Sequence, residues 1–441
     1  MSKIVSQVDL IREAFHYQSR FDGSTMVFKI DFPVTQDPVF PYLMKDLALL
    51  AKTGFQVVIV PGAKERIDAI LQEYGIISKY AGTTRITTGA EIPFVGMAAF
   101  DVATRFITGL SADRVDAVIG NFVRARGLGV IGGTDMEHTG IVDRIILDSL
   151  ERVIHLGMAP IIPCIGWSAS GKPYNVSSDE IALAVSGALK AVKLFIVSVH
   201  GGVRKDRYRI PGSVSTGENG RIREMTPQEA ETILELNQDE KGHERPIEEL
   251  KLALRASKAG VERVHIIDGR EEGAILRELF SHLGVGTMVY ADEYEAIRPL
   301  KNADIPEILR LMEPLVQQGN LVRRTAEQIQ EKKADYAVIE IDGAVHACAA
   351  LHDWGENQGE IAALAIDPAY TDLGLGRRLI HYCIHKAVQR NMKRVFVLTT
   401  RTHDWFEFLG FAECAIESLP ETRLRRYDHS RKSKVFALEL T

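Results

Sequence analysis

With 441 residues, 46% hydrophobic and 25% charged side chains, the chain is long enough for two domains, each with a sizeable core. A net charge of −6 excludes bulk attraction to nucleic acid or an anionic membrane, so any anion-binding patch has to be local. The four scattered cysteines, Cys164, Cys348, Cys383 and Cys414, offer no zinc spacing and read as buried thiols of a reducing cytoplasm.

The first residues mix charge into their apolar positions, unlike a secretory signal, and no run approaches the ~20 apolar residues of a membrane span. A cytoplasmic protein is expected. Val8, Ile11 and Phe15 mark an opening helix at about 5–20. A strand follows at 24–32, a helix at 43–54 closed by Gly54, a buried strand at 55–60 and a helix at 64–75. This alternation predicts a mostly parallel sheet covered on both faces. It continues with a helix at 143–157, a strand at 158–165, a helix at 177–191 and a strand at 193–199. The polar stretch 203–245 reads as surface loop and hairpin. A helix at 247–260, a strand at 261–268, a helix at 271–284 and a strand at 285–290 complete the first rhythm.

Beyond Tyr290 a linker leads into a strand at about 296–299, and the order changes to two helices (304–317 and 325–333), three consecutive strands, a glycine-rich turn, a helix and two further strands. The predicted domains are therefore 1–292 and 293–441. In "DPAYTDLGLGRRLI" (367–380), Gly374 and Gly376 stand between a nearly all-apolar strand, 360–366, and a helical pattern. That pattern comprises Leu379, Ile380, Cys383, Ile384, Ala387 and Val388. Unpaired N–H groups at such a helix start favour an anion, and Arg377 and Arg378 add positive charge. A dinucleotide fold would want glycine where Leu379 stands, and a P-loop would want Gly-Lys-Ser/Thr. An acetyl-CoA pyrophosphate loop fits, with Thr371 in place of its usual Gln or Arg. The turn alone leaves a simple chain reversal open.

"VFVLTTRTHDWFEFLGF" (395–411), "LPETRLRRYDHSRKSKVF" (419–436), "LVRRTAEQI" (321–329) and "GEIAALAIDP" (359–368) together resemble the N-acetylglutamate synthases, and the resemblance runs along essentially the whole chain. It implies an α/β protein with an N-terminal amino-acid-kinase-like three-layer αβα domain followed by a C-terminal GNAT α+β domain. The implied reaction makes N-acetyl-L-glutamate from acetyl-CoA and L-glutamate, the first step of arginine biosynthesis, with no metal. By the same resemblance Ala365, Ile366, Leu373, Gly374, Gly376, Arg377 and Arg378 bind coenzyme A, and Leu321, Arg323 and Arg431 bind glutamate. Lys432 and Lys434 rival Arg431. Glu360 matches the general base and Thr399 the proton donor to the thiolate. Read without the family, Glu360 is a surface charge at a strand end, Thr399 an ordinary strand residue, and 423–434 a solvated basic segment.

The first domain resembles the acetylglutamate kinases with their phosphate machinery damaged. Lys29 is kept, but Asp31 and Phe32 replace two glycines, "PGAKER" keeps only Gly62, and Ser177 replaces an asparagine beside the surviving Asp179. Without those glycines a backbone cannot close on nucleotide phosphates. A pseudokinase is expected. The resemblance also implies an L-arginine site from Tyr17, Lys193, Glu278, Gly284 and Gly286 that mediates feedback inhibition, and a homo-hexamer. The residues around Glu278 would otherwise be an amphipathic helix with a glycine cap. An acetyltransferase for another amino acid, or a non-catalytic arginine-sensing regulator, remain alternatives.

Overall fold

The computed structural model describes residues 21–440, except 212–213, 215, 217–219, 240–243, 281–284, 291–294, 342–343, 369 and 371–374. Tyr17, Gly284, Leu373 and Gly374, like the expected opening helix, lie outside the described residues. The chain divides into two compact units, Met1–Ala291 and Asp292–Thr441. No described helix is long and apolar enough to cross a membrane.

The first unit is built on β1 (Thr25–Ile30), β2 (Gln56–Pro61), β3 (Ala117–Ile119), β4 (Ala159–Ile161), β5 (Lys193–Ser198), β6 (Glu224–Met225), β7 (Arg263–Asp268) and β8 (Thr287–Tyr290). They lie in the order β6-β8-β7-β5-β1-β2-β4-β3, parallel except where β8 runs against β7. All six residues of β1 are buried. Met26, Phe28 and Ile30 join the core on one face and Val27 the core on the other, as a period of two requires.

Two expectations change here. Residues 143–145 close a strand, Thr139–Ile145, of a small four-stranded barrel, and the helix expected from 143 begins only at Leu147. The stretch 203–245 also holds β6 and a helix, α1 (Pro227–Leu236). Its capping box, Thr226 with Glu229 behind Pro227, was visible in the sequence; the polarity around it hid a helix that buries only Ala230 and Ile233.

The second unit carries β9 (Glu295–Pro299), β10 (Tyr336–Ile341), β11 (Ala344–Asp353), β12 (Gln358–Ile366), β13 (Arg394–Thr399), β14 (Ala412–Cys414) and β15 (Lys434–Glu439) in the order β9-β10-β11-β12-β13-β15-β14. Its helices include α2 (Ile305–Gln317), α3 (Ala326–Glu331), α4 (Leu375–Gln389), α5 (His403–Phe408) and the short α6 (Glu421–Leu424). Helix α4 buries Leu379, Ile380, Cys383 and Ala387 as its spacing predicts, whereas Val388 is exposed at the edge of that face.

One irregularity organises this sheet. β12 pairs with β13 only over Gln358–Glu360, opposite Arg394–Phe396. Among the described residues, Ile361–Ile366 pair on the β11 side alone. The β11–β12 register shifts between Cys348 and Ala350, where Ala363 adopts φ 55° and its carbonyl accepts from Cys348 Sγ. A left-handed alanine costs roughly 1–2 kcal/mol and marks a bulge that bends its strand. The bend opens a fork between β12 and β13.

Candidate functional site

Glu360 stands at the apex of that fork, the last residue of β12 to face β13. It is buried, unlike the strand-end surface charge that local reading suggests. Arg423 of α6 reaches it with two nitrogens, Nε to Oε2 at 2.7 Å and Nη2 to Oε1 at 3.0 Å. Trp354 donates from its indole nitrogen to Oε2 at 2.8 Å. Sequence reasoning missed both partners. Arg423 lies in a segment read as solvated, and only the need of a buried carboxylate for a cation could have singled it out.

Thr399 ends β13 on the other arm. Its Oγ1 accepts from the backbone of Arg401 and Thr402 and lies 2.9 Å from Thr402 Oγ1. The hydroxyl thus turns the chain out of the strand toward α5, whatever else it does.

Ala365 and Ile366 continue β12 beyond the bulge, and α4 begins over their end. A Cβ at Gly376 would come within 2.7 Å of Ile366 Cδ1 and 3.4 Å of Trp405. The glycine thus lets the start of α4 lie close on the Ile366 side chain, and a larger residue would have to displace Ile366 Cδ1. The first turn of α4 holds no acidic residue, and Arg377 and Arg378 are exposed there. A helix N-terminus of this kind favours an anion.

Arg323 is largely exposed, in a 2.7 Å surface pair with Glu313 that holds it weakly. Arg431 donates from Nη2 to the carbonyls of Gly319 (2.9 Å) and Asn320 (3.1 Å). That tie brings the C-terminal segment against the loop carrying Leu321 and Arg323, so these three residues share one neighbourhood. Of the rival cations, Lys434 pairs with Glu413 at 3.0 Å and Lys432 is exposed.

In the first unit, Lys193, Glu278 and Gly286 come together around a residue that sequence reasoning missed. Lys193 Nζ lies 3.3 Å from His265 Nε2, and His265 Nδ1 lies 2.8 Å from Glu278 Oε1. Glu278 Oε2 accepts from the N–H groups of Val285 (2.7 Å) and Gly286 (3.2 Å). Burial, then the Lys193 charge, pushes the His265 pKa down to about 4. The neutral ring donates at Nδ1 to Glu278 and accepts from Lys193 at Nε2. Burial alone would raise the Glu278 pKa, but the His265 bond and the two backbone donors outweigh it and hold it low. Any side chain at Gly286 would strike Ile266 O, 2.2 Å from its Cβ. His265 sits in the apolar run "VERVHIID", where its only signal was being polar inside a buried strand.

A second charge cluster surrounds Lys29. This fully buried amine pairs with Asp31 and, at 3.0 Å, with Asp179. Arg245 binds both carboxylates, Asp31 at 3.1 Å and Asp179 at 2.9 Å. Burial works to lower the Lys29 pKa, and Asp179 and Asp31 outweigh it. Two cations and two carboxylates thus cancel inside the protein. A Cβ at Gly62 would lie 2.7 Å from Asp31 Oδ1, so the aspartate occupies the space beside the remaining loop glycine.

Glu249, beside Arg245 at 3.5 Å, is fully buried; burial and then the Asp31 charge raise its pKa to about 7. The folded state therefore keeps a proton that the unfolded chain releases near 4.5, and this contribution to stability is lost as pH rises from about 4.5 to 7. Replacement by glutamine, which cannot ionise, is expected to flatten that slope, by about 3 kcal/mol across the window. Denaturant melts of both proteins at several pH values measure it; parallel curves would refute it.

The chain matches the amino acid kinase family over residues 30–268 and the acetyltransferase (GNAT) family over residues 304–411. It is 33% identical to an amino-acid acetyltransferase of Photobacterium profundum over 97% of each chain, and 33% identical to one of Escherichia coli over 98% of each. Among solved structures it is similar to N-acetylglutamate synthase from Neisseria gonorrhoeae complexed with coenzyme A and L-arginine. That match has a TM-score of 0.85 and 31% identity over 99% of both chains. The same enzyme complexed with coenzyme A and N-acetyl-glutamate matches at TM-score 0.61 and 31% identity, over 99% of this chain and 100% of that one. An amino-acid-kinase fold followed by a GNAT fold is the class expected from the sequence, and the chain belongs to the amino-acid acetyltransferase family.

Proposed function

We propose that this protein transfers an acetyl group from acetyl-CoA to the amino group of L-glutamate, and that L-arginine bound to its kinase-like regulatory unit inhibits the transfer. The observation that carries the reading is the one-sided pairing of Ile361–Ile366, directly beyond a buried carboxylate and ending under a helix N-terminus. An unpaired strand edge offers amide and carbonyl groups to an extended ligand such as the pantetheine arm, as in strand addition. The first turn of α4, with Gly376, Arg377 and Arg378, suits the pyrophosphate. On the family's pattern Leu373 and Gly374 contribute to the same pyrophosphate site.

Acetyl-CoA, when bound, supplies the thioester whose carbonyl carbon the amine attacks. A C–N bond forms and the C–S bond breaks. Glu360 takes the proton of the ammonium through a water; Thr399, whose Oγ1 accepts from two backbone donors, gives its hydroxyl proton to the departing thiolate and regains one, through solvent, from the second proton that the acylated nitrogen sheds. Arg323 and Arg431, neighbours across the 319–323 loop, receive the substrate carboxylates. In the first unit, Lys193, His265 and Glu278 provide buried charge for a ligand carrying both carboxylate and guanidinium. The internally neutralised Lys29 cluster offers phosphate no net positive charge, which fits a domain that no longer transfers phosphoryl groups.

Assaying coenzyme A release with a panel of amino acids tests the substrate. L-glutamate is expected to exceed glutamine and alanine in kcat/KM by roughly 100-fold or more, because each lacks the side-chain carboxylate that Arg323 and Arg431 would pair with. Equal rates across the panel would sink the glutamate reading.

A further inference from the structure

We infer that Arg423, supported by Trp354, is the positioning residue that aims the Glu360 carboxylate at the strand fork. The inference rests on the reading of Glu360 as the general base. A carboxylate has about four acceptor positions. Among the described residues, three donors fill three of them: Arg423 Nε and Trp354 Nε1 on Oε2, and Arg423 Nη2 on Oε1. One position is left, on Oε1. The direction in which this group can accept a proton is therefore set by a guanidinium from α6, 63 residues along the chain.

The clamp is itself braced. The third nitrogen of Arg423, Nη1, donates to Arg426 O at 3.2 Å, and the guanidinium lies 5.3 Å from the Trp354 ring. Thr422 Oγ1 donates to Trp354 O at 3.0 Å, and Trp354 N donates to Gln358 O at 3.2 Å. The α6 segment is thus fastened to the β11–β12 turn and, through it, to the apex of the fork. The guanidinium also supplies the opposite charge that a buried carboxylate needs as a partner. A bidentate arginine fixes orientation where a lysine fixes only charge.

The experiment compares Arg423→Gln, Arg423→Lys, Trp354→Phe and Glu360→Gln in the full-length enzyme. It measures kcat, KM for both substrates, coenzyme A binding by calorimetry and thermal unfolding. Arg423→Gln is expected to lower kcat by about 10–100-fold, with KM values and coenzyme A affinity changed by less than about 3-fold. Arg423→Lys, which keeps the charge and loses the two-nitrogen fork, is expected to recover little of that loss, and full recovery would assign the effect to charge rather than orientation. Trp354→Phe, which keeps an aromatic ring and removes one donor, is expected to lose about 3–10-fold in kcat. A normal kcat in Arg423→Gln beside an inactive Glu360→Gln overturns the positioning role. So does a raised KM for the amino acid at unchanged kcat, which would make Arg423 a substrate ligand. If Arg423→Gln does not fold, an undiminished kcat in Trp354→Phe overturns the clamp on its own. Full activity in Glu360→Gln instead defeats the general-base reading, a separate failure.

Discussion

Replacing Glu360 by glutamine is expected to lower kcat by about 10²–10⁴-fold, the range a positioned general base contributes, while coenzyme A still binds. The amide keeps the shape of the carboxylate and an acceptor oxygen for Arg423 or Trp354, but it cannot take the proton of the ammonium. The substitution also breaks a buried ion pair whose side chains are 8% and 14% exposed, so part of the effect falls on stability. Glu360→Asp separates the two contributions. It restores the charge one methylene short of the fork and is expected to fall between wild type and glutamine. Steady-state rates beside thermal melts make the comparison. A folded Glu360→Gln protein with wild-type kcat would remove the residue from the chemistry.

The second large effect is expected in the kinase-like unit. Glu278→Gln should weaken L-arginine binding by roughly 100-fold, the cost of losing a charge-assisted bond in a buried site. Glu278 is held low and ionised by His265 and two backbone donors, and Lys193 lies one imidazole away. The cluster therefore holds charges of both signs inside the protein. Calorimetry with L-arginine, and the ratio of acetyl transfer with and without it, report the change. Wild-type arginine affinity in Glu278→Gln would show that the effector binds elsewhere. The same titration on His265→Ala asks whether the ring takes part in holding the ligand, since its loss leaves Lys193 and Glu278 without the group that joins them.

Much of the second unit was readable from order and spacing. The apolar run 360–366 is the central strand, and the helical period from Leu379 gave the buried face of α4, apart from Val388 at its rim. The 203–245 stretch failed for a physical reason. A helix that buries two residues has almost no periodic signal, and only its capping box betrays it. Glu360 was legible as a position and not as an environment. Nothing local says that a glutamate at the start of a strand will be buried, or that an arginine in a basic tail will leave solvent to meet it.

Gly376 shows the same division. Local pattern placed it at a helix start and suggested a phosphate; its packing adds a close approach to Ile366 and Trp405. Arg431 and the 319–320 carbonyls, like His265 between Lys193 and Glu278, are likewise joined only by tertiary structure. By itself the sequence determined most of the elements, the two-part organisation and the family, because side-chain periodicity and motif order are properties of neighbouring residues. The tertiary structure decided which charges meet, where β12 leaves β13, and which acceptor position on Glu360 stays open. Those depend on strand order and on a bulge at Ala363, and a buried charge can take its partner from any segment that the sheet order brings alongside.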